Sequence, residues 1–340
     1  MVLKELTALR GVSGNEDAVR NFILEKVKPL ADEVRVDRMG NVIATKKARL
    51  QSNGKHVLLA GHMDEVGMII VGINDNGLLS YKPVGGIDPR VVVSKRVKVG
   101  DDEVPGVIGA KAIHLQTPDE RQRVLQHDQL YIDIGAKDKA SAERLVAPGD
   151  YVCFDSDWVE FGDGFVKCRA LDDRVGCNCM LSVLEGDYPC DVTCAFTVQE
   201  ETGCRGAHTA GWGLQFDSAI ALEGTTANDL GMTKGYHEQV VRVGDGVAIS
   251  VMDGGSIANR GLYRKLCELA EEKKITWQSK CYVAGATDAS RLQRHNGAHA
   301  TCVLSVPCRY IHSASNVACF RDIDAQYQLV DAFLAAGGTF

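Results

Sequence analysis

The chain has 340 residues, of which 45% are hydrophobic and 24% charged, and its formal net charge is −7. Apolar content of this order can bury one large core or two ordinary ones, which excludes a wholly disordered chain. The charges are interspersed rather than gathered into blocks of one sign, and their balance is acidic, which excludes nucleic acid as the main partner.

Lys4 and Glu5 fall where the apolar core of a secretory leader would lie, and no segment approaches the roughly 18 uninterrupted apolar residues of a membrane span. A cytoplasmic protein with no membrane partner is expected. Next, Ser13 and Glu16 have capping-box spacing ahead of Val19, Phe22, Ile23, Val27 and Leu30, which predicts a helix of about four turns. A strand-like stretch over 34–45, with Gly40 and Asn41 suited to a turn, leads to a short apolar run over 57–60 that stops at His62. From 68 to 159 the pattern changes to short β-type runs separated by Gly, Pro and Asp, which predicts a small β-barrel or sandwich.

Beyond Lys167, strand-like and helical segments alternate. Strands are expected over 192–198, 218–222, 247–251, 276–283 and 300–306, with a helix over 257–273. The expected fold class is α/β, a mixed-sheet catalytic domain made of residues 1–67 and 160–340, interrupted by an inserted β domain over 68–159. All twelve cysteines lie from Cys153 onward, none at C-x-x-C spacing, and most have apolar neighbours. They are expected to be free, buried thiols in a reducing compartment. Cys177 and Cys179 lack the second pair that a structural zinc site needs.

Five places set an acid or histidine at the end of a strand-like run: His62 with Asp64, Asp172 with Asp173, Glu200 with Glu201, Glu223, and His312. Open α/β sheets bind ligands at the carboxyl ends of their strands, so these distant residues can converge on one crevice. Imidazole and carboxylate donors suit zinc, cobalt or manganese, and one carboxylate can bridge two such ions. Ions so placed polarise a carbonyl and acidify a water between them, while a carboxylate outside the ligand set takes the water's proton. Each feature has a plainer alternative: a lone histidine can be a satisfied core group, and paired acids can start a helix or face solvent. Glu200 and Glu201, however, end the apolar run CAFTV, where uncompensated buried carboxylates would cost several kcal/mol. His56, His127, His237, His295 and His299 sit in polar stretches or before strands and are expected to be bystanders. No phosphate loop and no G-x-S-x-G elbow occurs.

Taken together, G-V-S-G-N-E, G-H-M-D-E-V-G, G-V-I-G-A-K, Y-I-D-I-G-A, A-L-D-D-R-V-G, Q-E-E-T-G-C-R-G-A, A-T-D-A and R-Y-I-H-S resemble the M42 family of metallo-aminopeptidases almost end to end. The resemblance implies two divalent ions, zinc or cobalt first and manganese next, with Asp172 bridging them and a cis peptide joining it to Asp173. His62 and Glu223 would complete one site, and Glu201 and His312 the other. Glu200 would be the general base, and Asp64 would orient His62. The substrates would be peptides with a free N-terminus. The inserted domain would form a homodimer, and such dimers assemble into dodecameric tetrahedra. Three positions depart from the family pattern: Glu223 stands where Asp is commoner, Ala286 replaces a glycine, and Asn316 stands where an acid often follows the His-Ser pair. A deacylase of N-acylated amino acids on the same metal core, a metal-free glycosidase and a non-enzymatic assembly are the rival readings.

Overall fold

The computed structural model describes residues 2–230, 240–283 and 285–340; His237 lies outside them. An eight-stranded mixed sheet carries the catalytic part of the chain. Its strands lie in the order Glu33–Val36, Val42–Lys46, Asp191–Thr197, His56–His62, Ser218–Thr226, Ala300–Cys308, Val247–Ser250 and Trp277–Lys280. The four from Asp191–Thr197 to Ala300–Cys308 are mutually parallel. They read as near-continuous apolar runs because both faces of the sheet are covered.

One face packs on the helices Asp17–Val27, Leu171–Glu185, Arg260–Lys273 and Phe320–Ala335 through a core that includes Leu59, Met180, Phe196, Leu304 and Phe333. Leu58, Ala60, Phe216 and Leu292 pack on the other face. Helix Arg260–Lys273 begins later than the expected 257, because Asn259 caps it by accepting from the amides of Gly261 and Leu262 at 3.0 and 3.1 Å.

The stretch expected over 34–45 is a hairpin, with Glu33–Val36 antiparallel to Val42–Lys46. Asp37 gathers the amides of Met39, Gly40 and Asn41 at 2.9–3.0 Å across the turn. The expected capping box is not used. Helix Asp17–Val27 starts without a side-chain cap, because Ser13 donates to Asp64 and the Glu16 carboxylate accepts from the amides of Gly14 and Gln199. Tertiary contacts thus claim both side chains that local spacing assigns to the helix.

Within 68–159 the chain forms a closed six-stranded antiparallel barrel, in the order Gly67–Ile73, Leu79–Val84, Tyr131–Asp133, Val104–Gly109, Arg96–Val99 and Tyr151–Phe154. Closure leaves no edge strand to cover. The barrel has a core of its own, including Met68, Ile70, Leu79, Val97, Ile108, Ile132 and Val152. The chain returns through Val159–Phe161 and Phe165–Cys168, the latter paired with Asn316–Cys319. All twelve cysteines are free, and most are buried. No helix among the described residues is long and apolar enough to cross a membrane.

Candidate active site

Ends of parallel strands bring the acids and histidines together. His62 is the last residue of its strand, Glu200 and Glu201 follow the strand Asp191–Thr197, and Glu223 lies near the end of Ser218–Thr226. His312 follows Ala300–Cys308 on a turn in which it takes a left-handed conformation, φ 58°. Asp172 enters from the first turn of helix Leu171–Glu185, and its peptide to Asp173 is cis. These six side chains line one crevice.

The crevice contains two histidine–carboxylate groups joined by one residue. His62 Nε2 lies 3.5 Å from Asp172 Oδ1 and 3.7 Å from Glu223 Oε2. His312 Nε2 lies 3.7 Å from Asp172 Oδ2 and 3.2 Å from Glu201 Oε2. Asp172 therefore presents a different oxygen to each group. Donors that share a tetrahedral ion at about 2.1 Å stand about 3.4 Å apart, which matches these separations.

Both imidazoles are oriented from behind. His62 Nδ1 donates to the Asp64 carbonyl at 3.0 Å, and His312 Nδ1 donates to the Gly86 carbonyl at 2.8 Å. A proton fixed on Nδ1 leaves the Nε2 lone pair facing the crevice. The Asp64 carboxylate is farther from His62, 3.4 Å, and is fully buried. It accepts from Ser13 Oγ at 2.5 Å and from the amides of Glu200 and Glu201 at 3.0 and 3.2 Å. Asp64 thus steadies the strand end that carries both glutamates, as well as the histidine. The carboxylate oxygens of Asp173 accept from the amides of His62 and Gly176, each at 3.0 Å, and one of them lies within 4.8 Å of donor atoms of His62 and Glu223. A Cβ at Gly61 would stand 2.8 Å from that carboxylate, so glycine is required for the close approach.

Electrostatics show how much negative charge the crevice must hold. Burial, with repulsion from Asp288 and Glu201, pushes the Glu200 carboxyl up to about 8. Burial and Asp172 push Glu201 up to about 7, though His312 pulls the other way. Burial also raises Glu223 far above the carboxylate range. Glu223 Oε1 is buried and has no hydrogen-bond partner among the described residues. Such an oxygen is costly to leave bare and fits a cation, as do the nitrogen and oxygen donors around it. Cys177 takes no part in this set, since its thiol donates to the His62 carbonyl at 3.2 Å.

Sequence reasoning missed Ser13 and Glu16 as supports of the site, and Asp288. Asp288 is fully buried beside Glu200, with one oxygen accepting from Thr197 Oγ1 at 2.5 Å. Its presence in A-T-D-A was the available signal. Of the other described histidines, His56 meets Thr193, His127 meets Tyr81 and Ile87, and His299 stacks on Phe216; none of these, nor His295, lines the crevice.

Residues 40–329 match the M42 glutamyl aminopeptidase family. The chain belongs to that family. It is accordingly an aminopeptidase, a hydrolase that acts on N-terminal peptide bonds. An aminopeptidase from the archaeon Desulfurococcus kamchatkensis is 35% identical and superposes with a TM-score of 0.93, covering 98% of this chain and 93% of the other. The lysyl aminopeptidase of Pyrococcus furiosus is 30% identical, over 98% of this chain and 96% of its own. A Pyrococcus horikoshii peptidase that can assemble into a tetrahedron or a large octahedral shell is 32% identical, with a TM-score of 0.85 over 98% of each chain. Within this family frame, Asn316 has a defined place without an acid's charge. Its Oδ1 accepts from the Leu171 amide at 3.2 Å and its Nδ2 donates to the Tyr310 carbonyl at 3.1 Å, tying the His312 turn to the segment that carries Asp172. Ala286 lines the crevice.

Proposed function

We propose that this chain is a dinuclear metal-dependent aminopeptidase. His62, Asp172 and Glu223 hold one ion, and Asp172, Glu201 and His312 hold the other, with zinc or cobalt favoured and manganese accepted. The supporting observation is the position of Asp172, which offers one oxygen to each histidine–carboxylate group. When bound, the ions supply Lewis acidity for the scissile carbonyl and for the attacking water. Glu200 lies outside both groups and takes the water's proton, then delivers it to the leaving amine. Burial that raises its pKa toward neutrality suits a group that must both accept and release a proton. Cys204 donates its thiol to Glu200 Oε1 at 3.1 Å and leaves the second oxygen for this work. Asp64 is a positioning residue.

The deciding experiment compares aminoacyl-4-nitroanilides with their N-acetylated counterparts, with added zinc, cobalt or manganese. Hydrolysis of the free-amine substrates and refusal of the blocked ones is expected. The opposite preference would establish the deacylase reading, and hydrolysis of neither would remove both.

The inserted barrel is proposed to form a homodimer, the unit of a larger closed assembly of the kind the P. horikoshii relative can build. The inserted segment supplies the Gly86 carbonyl to the crevice but no acid or histidine, which leaves most of the barrel to serve another purpose. Replacing 68–159 by a short linker should give a folded monomer by analytical ultracentrifugation; a folded, truncated protein that still sediments at the size of the native assembly would place the contact elsewhere. The cytoplasm is the proposed compartment, supported by twelve unpaired thiols.

A further inference from the structure

Apart from the two histidine–carboxylate groups, and sharing no residue with them, stands a third set of donors: Glu200, Cys204 and Asp288. Each offers one atom, and the three atoms lie within 4.8 Å of one another. The turn that follows strand Asp191–Thr197 builds half of the set. Its amides at Gly203 and Cys204 both donate to the Glu200 carbonyl at 2.8 Å, and the Cys204 thiol comes to 3.1 Å from Glu200 Oε1. Asp288 arrives from a distant segment, just before the short helix Ala289–Leu292. Its Oδ2 accepts from Thr197 Oγ1 at 2.5 Å, which fastens it to the end of the same strand.

What separates this set from an ordinary hydrogen-bonded cluster is the other oxygen of Asp288. The residue is fully buried, and its Oδ1 has no hydrogen-bond partner among the described residues. A carboxylate oxygen at that depth is costly to leave bare. Glu200 and Cys204 line the crevice, as does Thr287 beside Asp288, so an ion from solvent can reach the set. One sulfur and two carboxylates suit a divalent ion with affinity for thiolate, zinc or cadmium rather than manganese. Sulfur and oxygen donors on one tetrahedral zinc, at about 2.3 Å and about 2.1 Å, stand about 3.6 Å apart, so small side-chain rotations close the set. On binding, the thiol proton passes to solvent and the thiolate lone pair forms the bond to the metal.

We propose that Glu200, Cys204 and Asp288 form a third, inhibitory cation site, which takes zinc or cadmium in excess of the two catalytic ions. Glu200 is the residue this site shares with the hydrolytic chemistry. A carboxylate that holds a cation is a poor base, because the cation stabilises its charged form, so occupancy stops the proton transfer. The inhibition rests on the general-base reading of Glu200 given above; the binding of the ion does not.

The test loads the full chain with two zinc ions and titrates it with cadmium, following the ultraviolet absorption of a cadmium–thiolate bond and hydrolysis of the preferred aminoacyl-4-nitroanilide. The catalytic groups hold only nitrogen and oxygen donors, so that absorption reports the third site. The natural protein should take up one cadmium per chain with the absorption, and its rate should fall by about 10²-fold or more, the worth of the general base. Manganese should produce neither effect. Cys204→Ser keeps a donor for Glu200; measured against its own cadmium-free rate, its half-inhibiting cadmium concentration should rise about tenfold or more, with the absorption absent. Asp288→Asn should raise that concentration and retain the absorption at saturation. Absorption in Cys204→Ser equal to that of the natural protein places the cadmium on another thiol, such as the exposed Cys281, and overturns the proposal. Inhibition without absorption marks displacement of catalytic zinc and overturns it too, as does absorption with no loss of rate. The absorption is read without substrate, so it judges the site even in a chain that hydrolyses nothing, whereas inactivity of the two-zinc protein before cadmium is added overturns the dinuclear reading alone.

Discussion

Glu200→Gln should keep both metal ions and lose turnover by about 10²–10⁴, the usual worth of a general base. Its neighbour should behave differently: Glu201→Gln removes a charged donor from the His312 group and should lower occupancy at one site. The two residues are adjacent, and Asp64 fastens the backbone amide of each, so a change in local folding would affect both alike. Their carboxylates nonetheless face different partners. Glu201 Oε2 lies 3.2 Å from His312 Nε2, whereas Glu200 Oε1 accepts from Cys204. Glutamine preserves the size and hydrogen-bonding capacity of glutamate and removes its basicity. Metal analysis of the two purified variants beside their kcat values separates the roles. A Glu200→Gln protein near the natural rate would take that residue out of the mechanism, and a Glu201→Gln protein holding two ions tightly would displace it from the ligand set.

Chelation should abolish hydrolysis, and zinc, cobalt or manganese should restore it. The same treatment should lower the melting temperature, because an ion that binds only the folded state stabilises it by about 2.7 kcal/mol per site at a hundredfold excess over Kd. For a chain of this length, two sites correspond to a fall of roughly 5–10 °C on stripping. Protons compete with the ions for the same lone pairs. Burial opposes a charge on His312, but Asp172 and Glu201 outweigh it and raise its pKa to about 9 in the ion-free protein, while Glu201 stands at about 7. Metal uptake therefore releases protons and weakens as pH falls, so occupancy at fixed metal concentration should decline below neutrality. Isothermal titration in buffers of different ionisation enthalpy measures the release. Full activity in a rigorously metal-free sample would remove the dinuclear reading.

Much of the site was legible because its signal is a conflict between neighbours in sequence. His62, Glu200 and Glu223 interrupt or end apolar runs that form central parallel strands, and burial of such groups demands a partner. The barrel was legible from short β-type runs separated by turn residues, and six strands do form between Gly67 and Phe154. Ser13 and Glu16 were misread because their spacing satisfies a local rule, and only tertiary structure reveals that Asp64 and Gln199 compete for them. Lys280, which lines the crevice, gave no signal at all. In WQSK it reads as an ordinary surface lysine, and its burial depends on Thr225, which lies 55 residues away in the chain. The grip of Asp64 on two backbone amides was equally invisible, since amides leave no trace in composition.

The hydrogen bond from His312 to the Gly86 carbonyl crosses from the catalytic sheet to the inserted segment. Gly86 follows the barrel strand Leu79–Val84, and its contribution is a backbone atom, for which any residue type would serve. The barrel is consequently not an interchangeable cassette. A chimaera that grafts a relative's barrel onto this catalytic sheet must reproduce the path of one turn to within a few tenths of an ångström, or the imidazole loses the acceptor that holds its tautomer. Selection at that turn acts on the shape of the main chain rather than on side-chain identity, so an inventory of residues compared between relatives would pass over it.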